Sequence, residues 1–227
     1  TLLSLLFTIV YSLTYCQHDE TSYYYFQEQE HLLIPIDTGL NNLEAYNFMQ
    51  TPRWDYFNIG NTGQAHQYMA LDWNENKGFK SGLTHFDRYK YAIDKIRYYK
   101  VEKPLSQINY FLGSNRENIF GAQFAHNVKN RLNYGVNFHR VLSTGVYNNI
   151  QARNGDFSLY GQFFSKNSRY VLGAEMIFTK LKAQENGGLL IDFINQPEFV
   201  EPNKEFYEVN ISDGLTQHKN LAFEITN

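Results

Sequence analysis

The sequence predicts an all-β fold: an antiparallel meander of long strands, of the kind that closes into a transmembrane β-barrel. Three observations point there. Aromatic residues make up 17% of the 227 residues, with 18 Tyr and 18 Phe, and these side chains, like the abundant Asn, are poor helix formers. From about residue 105 the apolar positions recur with a period of two, the spacing of a strand with one apolar and one mixed or polar face. The alternating segments run about 9 or 10 residues, longer than the 5 or 6 usual in soluble proteins and the length a tilted strand needs to cross a bilayer.

Residues 1–16 form the first unit. Leu2, Leu3, Leu5, Leu6, Phe7, Ile9 and Val10 make an apolar run with no charge before Asp19. The run is shorter than the ~20 residues a helix needs to span a bilayer, and it has the length of a signal-peptide apolar region. Thr14 and Cys16 stand at −3 and −1 of a cut before Gln17, which suits signal peptidase. A lipidated Cys16 is a second reading, with a bulky Tyr15 in the way, and a buried strand or helix is a third. Residue 1 is Thr and the last strand-like segment stops at Asn227, so a piece cut at both ends is expected. Residues 17–90 form a segment leading into the barrel, open between strands, a plug and a periplasmic piece.

Residues 91–227 carry the strands. Two faint segments come first: Ser106 to Leu112, with Ile108, Tyr110 and Leu112 on one face, and Glu117 to His126, with Phe120, Ala122 and Phe124 together. In the next segment Leu132, Tyr134, Val136 and Phe138 alternate with Arg131, Asn133, Gly135, Asn137 and His139. Phe157, Leu159, Gly161 and Phe163 then alternate with Asp156, Ser158, Tyr160 and Gln162. Tyr170, Leu172, Ala174, Met176 and Phe178 alternate with Arg169, Val171, Gly173, Glu175, Ile177 and Thr179. Leu221, Phe223 and Ile225 give the last strand. From Tyr170 to Phe178 is roughly 26 Å at ~3.3 Å per residue, or about 20 Å once tilted by ~40°, close to an apolar band ~25 Å tall. Connections alternate between short (Asn127 to Asn130, Ser165 to Ser168) and longer (Leu142 to Gly155, Lys182 to Gly188), the rhythm of short turns at one barrel end and loops at the other. A soluble β-sandwich also alternates apolar and polar positions; strand length and the signal-like start favour the membrane.

On the barrel reading the lipid-facing residues are Leu132, Tyr134, Val136, Phe138, Tyr170, Leu172, Met176 and Phe178. The lumen-facing ones are Asn133, Asn137, His139, Glu175 and Thr179. Composition narrows the function. A formal net charge of −3 leaves no basic footprint for nucleic acid. The aromatic content excludes wholesale disorder, and the single cysteine excludes a disulfide framework and a cysteine-based zinc site.

The stretch from about Asp37 to Asp192 resembles the outer-membrane porin β-barrel family of Bacteroidota. The likeness is carried by Asp37-Thr38-Gly39-Leu40 followed by Tyr46, by Phe57-Asn58-Ile59-Gly60-Asn61-Thr62-Gly63, and by Tyr98-Tyr99 before Lys103-Pro104-Leu105-Ser106. Tyr110-Phe111-Leu112-Gly113-Ser114, Phe124-Ala125-His126-Asn127 and Asn133-Tyr134-Gly135-Val136-Asn137-Phe138 follow. Ser143-Thr144-Gly145-Val146-Tyr147, Asn167-Ser168-Arg169-Tyr170 and Glu185-Asn186-Gly187-Gly188 complete it. The family's early proline near Tyr46 is not evident here. Members of the family are much longer, so the resemblance implies an N-terminal portion. It also implies a bacterial outer-membrane barrel that passes small solutes, and no catalytic residue.

Nothing else in the sequence assembles a chemistry. No two of the seven histidines stand at i and i+4 as a helical zinc pair would. Gly60 to Gly63 lacks the Gly-Lys-Ser/Thr ending of a phosphate loop and reads as a turn. Glu185 to Gly188 lacks the alternating acidic ligands of a calcium loop. Glu28 with Glu30, and Glu205 with Glu208, read as solvated carboxylates, and Tyr23 to Phe26 as a buried edge or aromatic anchor rather than a sugar platform. Thus no catalytic, cofactor or metal residue is expected. The expected function is porin-like: passive passage of small solutes through an outer-membrane barrel, with membrane lipid and solutes as partners. A secreted or surface β-sandwich that binds carbohydrate through exposed aromatics is the alternative. An exported hydrolase has no nucleophile or paired acid to support it.

Overall fold

A computed structural model describes residues 22–26, 32–36, 56–58, 61–69, 85–91, 93–114, 116–129, 131–167, 169–190 and 207–226. The signal-like residues 1–16 lie outside the described residues, as do Glu28, Glu30 and Glu205. Six antiparallel strands form one meander: β6 (Leu105–Leu112), β7 (Asn118–Val128), β8 (Leu132–Ser143), β9 (Ala152–Phe164), β10 (Val171–Glu185) and β11 (Gly214–Thr226), side by side in sequence order. β6 and β11 are the two edges and do not pair with each other, so the sheet is not closed. The remaining strands are short. β1 (Tyr23–Phe26), β2 (Ile34–Pro35) and β5 (Arg97–Lys100) make a three-stranded sheet with β1 central, and β3 (Tyr56–Asn58) pairs with β4 (His66–Tyr68). β5 thus belongs with β1, and the meander begins at Leu105.

The alternation read from the sequence sets the register. Val136 lies opposite Phe124 on β7 and Leu159 on β9, and Leu159 lies opposite Met176, which faces Phe223. One residue along, Asn137 lies opposite Ser158 and Glu175 opposite Glu224. A slip of one residue would exchange the whole apolar set with the polar set, so this pairing is strongly specified.

The strands outrun their expected lengths. β8 continues to Ser143 and β9 starts at Ala152, so the expected loop from Leu142 to Gly155 shrinks to residues 144–151. β10 has 15 residues and runs to Glu185. β11 begins at Gly214, well before Leu221. Beyond Phe138 and Phe178 the outward positions change from apolar to cationic, at Arg140, Lys180 and Lys182. Pairing continues where the apolar signal ends. Tyr170, expected inside its strand, precedes β10 and is 71% exposed. It closes the turn by accepting a bond from the Ser165 N–H.

Connections at one end are residues 129–131 and 165–170; at the other they are 113–117, 144–151 and 186–213. Of the turn expected over Gly60 to Gly63, Gly60 lies outside the described residues; Asn61 to Gln64 forms a turn with Gly63 at φ +92°.

The N-terminal elements lie across one face of the meander. Ile96, Tyr98, Tyr99 and Val101 pack with Ala125, Tyr160 and Ile177, and Phe86 and Tyr89 pack with Leu181 and Ala183. This covered face is called inner below. Gly135 on β8 makes room for the Tyr160 ring directly opposite it, since a Cβ there would overlap the ring. A valine at 135 is therefore expected to displace Tyr160 and lower stability by about 1–3 kcal/mol, read as a reduced urea midpoint. Gly161, where a Cβ meets nothing within 4 Å, should accept alanine with a change within ~0.5 kcal/mol. Equal effects of the two changes would show that the Tyr160 fit is unimportant.

Candidate functional site

The inner face is a polar surface roofed by the chain itself. Four of the five residues expected on the lumen, Asn133, Asn137, Glu175 and Thr179, are buried there, and His139 is half-buried beside them. Strand pairing brings them together with Asn154, Ser158 and Gln162. Asn137 donates to the Ser158 hydroxyl at 3.1 Å, Asn133 to Gln162 at 3.4 Å, and His139 Nδ1 sits 3.0 Å from Asp156. Glu175 faces Glu224 across the β10–β11 pair, two like charges in one cross-strand site.

The roof is tyrosine-rich. Tyr25 donates to Gln162 at 2.7 Å, Tyr98 donates to Glu175, and the Tyr99 N–H donates to the Tyr160 hydroxyl at 3.1 Å. Tyr98 also stacks on Tyr25 and meets Tyr160 edge-on, with centroids 5.6 and 4.9 Å apart. Tyr91 stacks over His139 at 6.2 Å, and burial pushes its phenol well above the usual tyrosine range.

Towards the long-loop end the Asn61–Gln64 turn is pinned to the same face. Asn61 donates to Ser143 at 2.7 Å, Asn154 to the Gly63 carbonyl at 3.0 Å, and Gln64 to the carbonyls of Ile150 and Gln184 at 2.6 and 3.0 Å. The roof thus runs from Gln162, near the short turns, to Ser143 and Gln184, near the loops.

Not every inner polar atom is matched. Asn133 Oδ1, Asn154 Oδ1, Glu175 Oε2 and Thr179 Oγ1 are buried without a protein partner among the described residues. Such atoms cost free energy unless water or a polar solute reaches them. A pocket of about 540 Å³ opens beside Asn133 and Gln162, bounded by Tyr23, Tyr25, Lys100 and Asn127. The chemistry on offer at this face is hydrogen bonding. Among the described residues no group of three or more His, Cys, Asp or Glu gathers as metal ligands.

The residues expected to face lipid occupy the opposite, outer face: Leu132, Tyr134, Val136, Phe138, Leu172, Met176 and Phe178. Nothing among the described residues packs over it as the roof packs over the inner face. Leu132, Phe138, Leu172 and Phe178 are exposed, as are Leu221, Phe223 and Ile225, each above 60%.

Some inner-face members were not singled out by sequence reasoning. Ser158, Tyr160 and Gln162 carried the right parity on the expected strand and could have been named. Asn154 lies outside the segment that the alternation marks, which begins at Asp156, whereas β9 begins at Ala152. Tyr25 and Tyr98 give no local sign of where they dock. Their partners lie 137 and 77 residues away.

No curated protein and no solved structure matches the chain. One family does, described as Putative porin, and it matches residues 17–224. The matched span takes in the roof, its turn and five of the six meander strands in full, with β11 covered nearly to its end. On that match the chain belongs to the Putative porin family.

Proposed function

We propose that the protein is a porin-like barrel of the bacterial outer membrane that lets small solutes pass passively. The inner polar face lines the passage and the N-terminal roof narrows it. The observation that carries this reading is an inversion. A soluble sandwich covers its apolar face and leaves its polar face wet; here the polar face is covered and the apolar face is bare. A contiguous apolar face spread over long paired strands, with Leu132, Phe138, Leu172, Phe178, Leu221, Phe223 and Ile225 all exposed, marks an interaction surface rather than the scattered apolar residues of a soluble monomer, and lipid is its natural solvent. A barrel also leaves no strand edge in the hydrocarbon. On this reading selectivity comes from lining side chains such as Asn133, Asn137, His139, Glu175 and Thr179, with no covalent step. The carbohydrate-binding sandwich would need a second layer over the outer face, and no described element supports it.

The protein is expected to fractionate with outer membranes and to migrate faster on gels before boiling than after. Recovery as a soluble exported protein would overturn the proposal. Facing is tested at Val136, in the middle of the apolar rows. Val136→Arg should cost roughly 2–4 kcal/mol of folding in lipid, and Val136→Cys should react with a lipid-borne thiol probe but not a water-soluble one. Ready labelling from water would place that face in solvent.

The roof has its own test. Tyr98→Phe removes the hydroxyl that donates to buried Glu175 and should cost about 1–3 kcal/mol. Tyr98→Ala combined with Tyr25→Ala should loosen the roof and raise single-channel conductance in planar bilayers several-fold. Unchanged conductance with the roof demonstrably loosened, by faster proteolysis of the N-terminal segment, would show that it does not narrow the passage.

A further inference from the structure

On the outer face the cross-strand rows change character abruptly. The row Ala122, Phe138, Phe157, Phe178, Leu221 is wholly apolar. The next row towards the long loops reads Phe120, Arg140, Gly155, Lys180, Lys219, and the one beyond it Asn118, Leu142, Arg153, Lys182, Gln217. No acidic side chain holds an outward position in either row. Arg140, Arg153, Lys180, Lys182 and Lys219 have no carboxylate partner among the described residues.

Gly155 leaves a gap in the middle of this belt. Arg140 and Lys180 lie directly opposite it on its two neighbouring strands, so they are about 10 Å apart, two strand spacings. The gap is a pocket of about 450 Å³, with Phe138, Phe157 and Phe178 below and Arg153 and Lys182 above; Asp156 also borders it, from an inward strand position where its carboxylate sits 3.0 Å from His139. An aromatic floor under a ring of unpaired cations matches a molecule that is apolar at one end and anionic at the other. Guanidinium and ammonium groups bind phosphate oxygens through short, charge-assisted hydrogen bonds.

We propose that this pocket holds a phosphate-bearing membrane lipid of the long-loop leaflet, its headgroup phosphate between Arg140 and Lys180 and its acyl chains on Phe138, Phe157 and Phe178. The proposal rests on the reading of the outer face as lipid-facing. It adds that the leaflet on the loop side is selected by headgroup charge. The belt turns the rim into an anchor that fixes how deep the strands sit, because the cations stop at the headgroup level while the phenylalanines stay in the hydrocarbon.

The test uses the full-length protein purified in a nonionic detergent. Retention of phosphatidic acid, of diacylglycerol with the same chains, and of inorganic phosphate is measured by native mass spectrometry. Phosphatidic acid should be retained at concentrations where the other two are not. Arg140→Gln with Lys180→Gln should weaken it about tenfold or more, since each lost charged hydrogen bond is worth roughly 1.5 kcal/mol or above. Gly155→Leu keeps every charge and fills the gap, where a Cβ meets only the His139 carbonyl at 3.6 Å; it should weaken retention too. Lys166→Gln with Arg169→Gln, at the short-turn end, should change nothing. Equal retention of diacylglycerol would mean acyl packing alone, equal retention of inorganic phosphate a free-anion site, and unchanged affinity in both pocket variants would place the lipid elsewhere. Each outcome overturns the proposal. Insertion into phosphatidylcholine vesicles, scored by the gel shift on boiling, is measured in parallel. Failure of the unmodified protein to insert would count against the barrel itself, whereas insertion without phosphate preference would count against the headgroup site alone.

Discussion

Successive side chains of a β-strand point to opposite sides, and a paired strand cannot move one residue without exchanging its faces. Everything else in this protein depends on that constraint. It divides β8, β9 and β10 into an inner set rich in Asn, Ser, Gln, Glu and Thr and an outer set rich in Leu, Val, Met and Phe. Backbone pairing holds the sets in register over 12 residues between β8 and β9 and 13 between β9 and β10. Neither face could be assembled from a single strand. The polar surface needs Asn137 beside Ser158, and the apolar row needs Phe138 beside Phe157 and Phe178.

The inner face explains the otherwise disparate described elements that precede the meander. Buried amides and carboxylates are costly unless hydrogen-bonded. The roof meets that requirement with tyrosine hydroxyls, which bring a large apolar ring and one polar tip to the same place. Tyr25, Tyr98 and Tyr160 form one aromatic cluster, the first pair stacked and the second edge-on, whose hydroxyls engage Gln162, Glu175 and the Tyr99 backbone. Aliphatic side chains could have filled the volume but would have left Gln162 and Glu175 without donors and the Tyr99 N–H without an acceptor. Thr179 Oγ1 and Asn133 Oδ1 have no partner among the described residues, so the interface combines apolar packing with polar atoms that water or a polar solute could satisfy.

The outer face carries a second kind of order, along the strands rather than across the sheet. Its apolar band cuts obliquely over the rows. On β6 and β7 Tyr110 and Phe120 remain aromatic in the row that is Arg140 on β8 and Lys180 on β10. On β8 and β10 the cationic positions begin where the apolar band ends, and the backbone ladder continues through them past the last phenylalanine.

By itself the sequence determined the periodic part of this protein. The all-β class, the order of the meander and the separation of Leu132, Tyr134, Val136 and Phe138 from Asn133, Asn137 and His139 all follow from local alternation, because side-chain direction in a strand is a property of neighbouring residues. The ends of the strands did not follow, since Arg140, Lys180 and Lys182 break the apolar pattern without breaking the backbone ladder. Only the tertiary structure decided what lies over the polar face. The docking of Tyr25 on Gln162 and Tyr98 on Glu175 joins residues 137 and 77 positions apart. Contacts of that range leave no period in the sequence, because a period records only which way neighbouring side chains point.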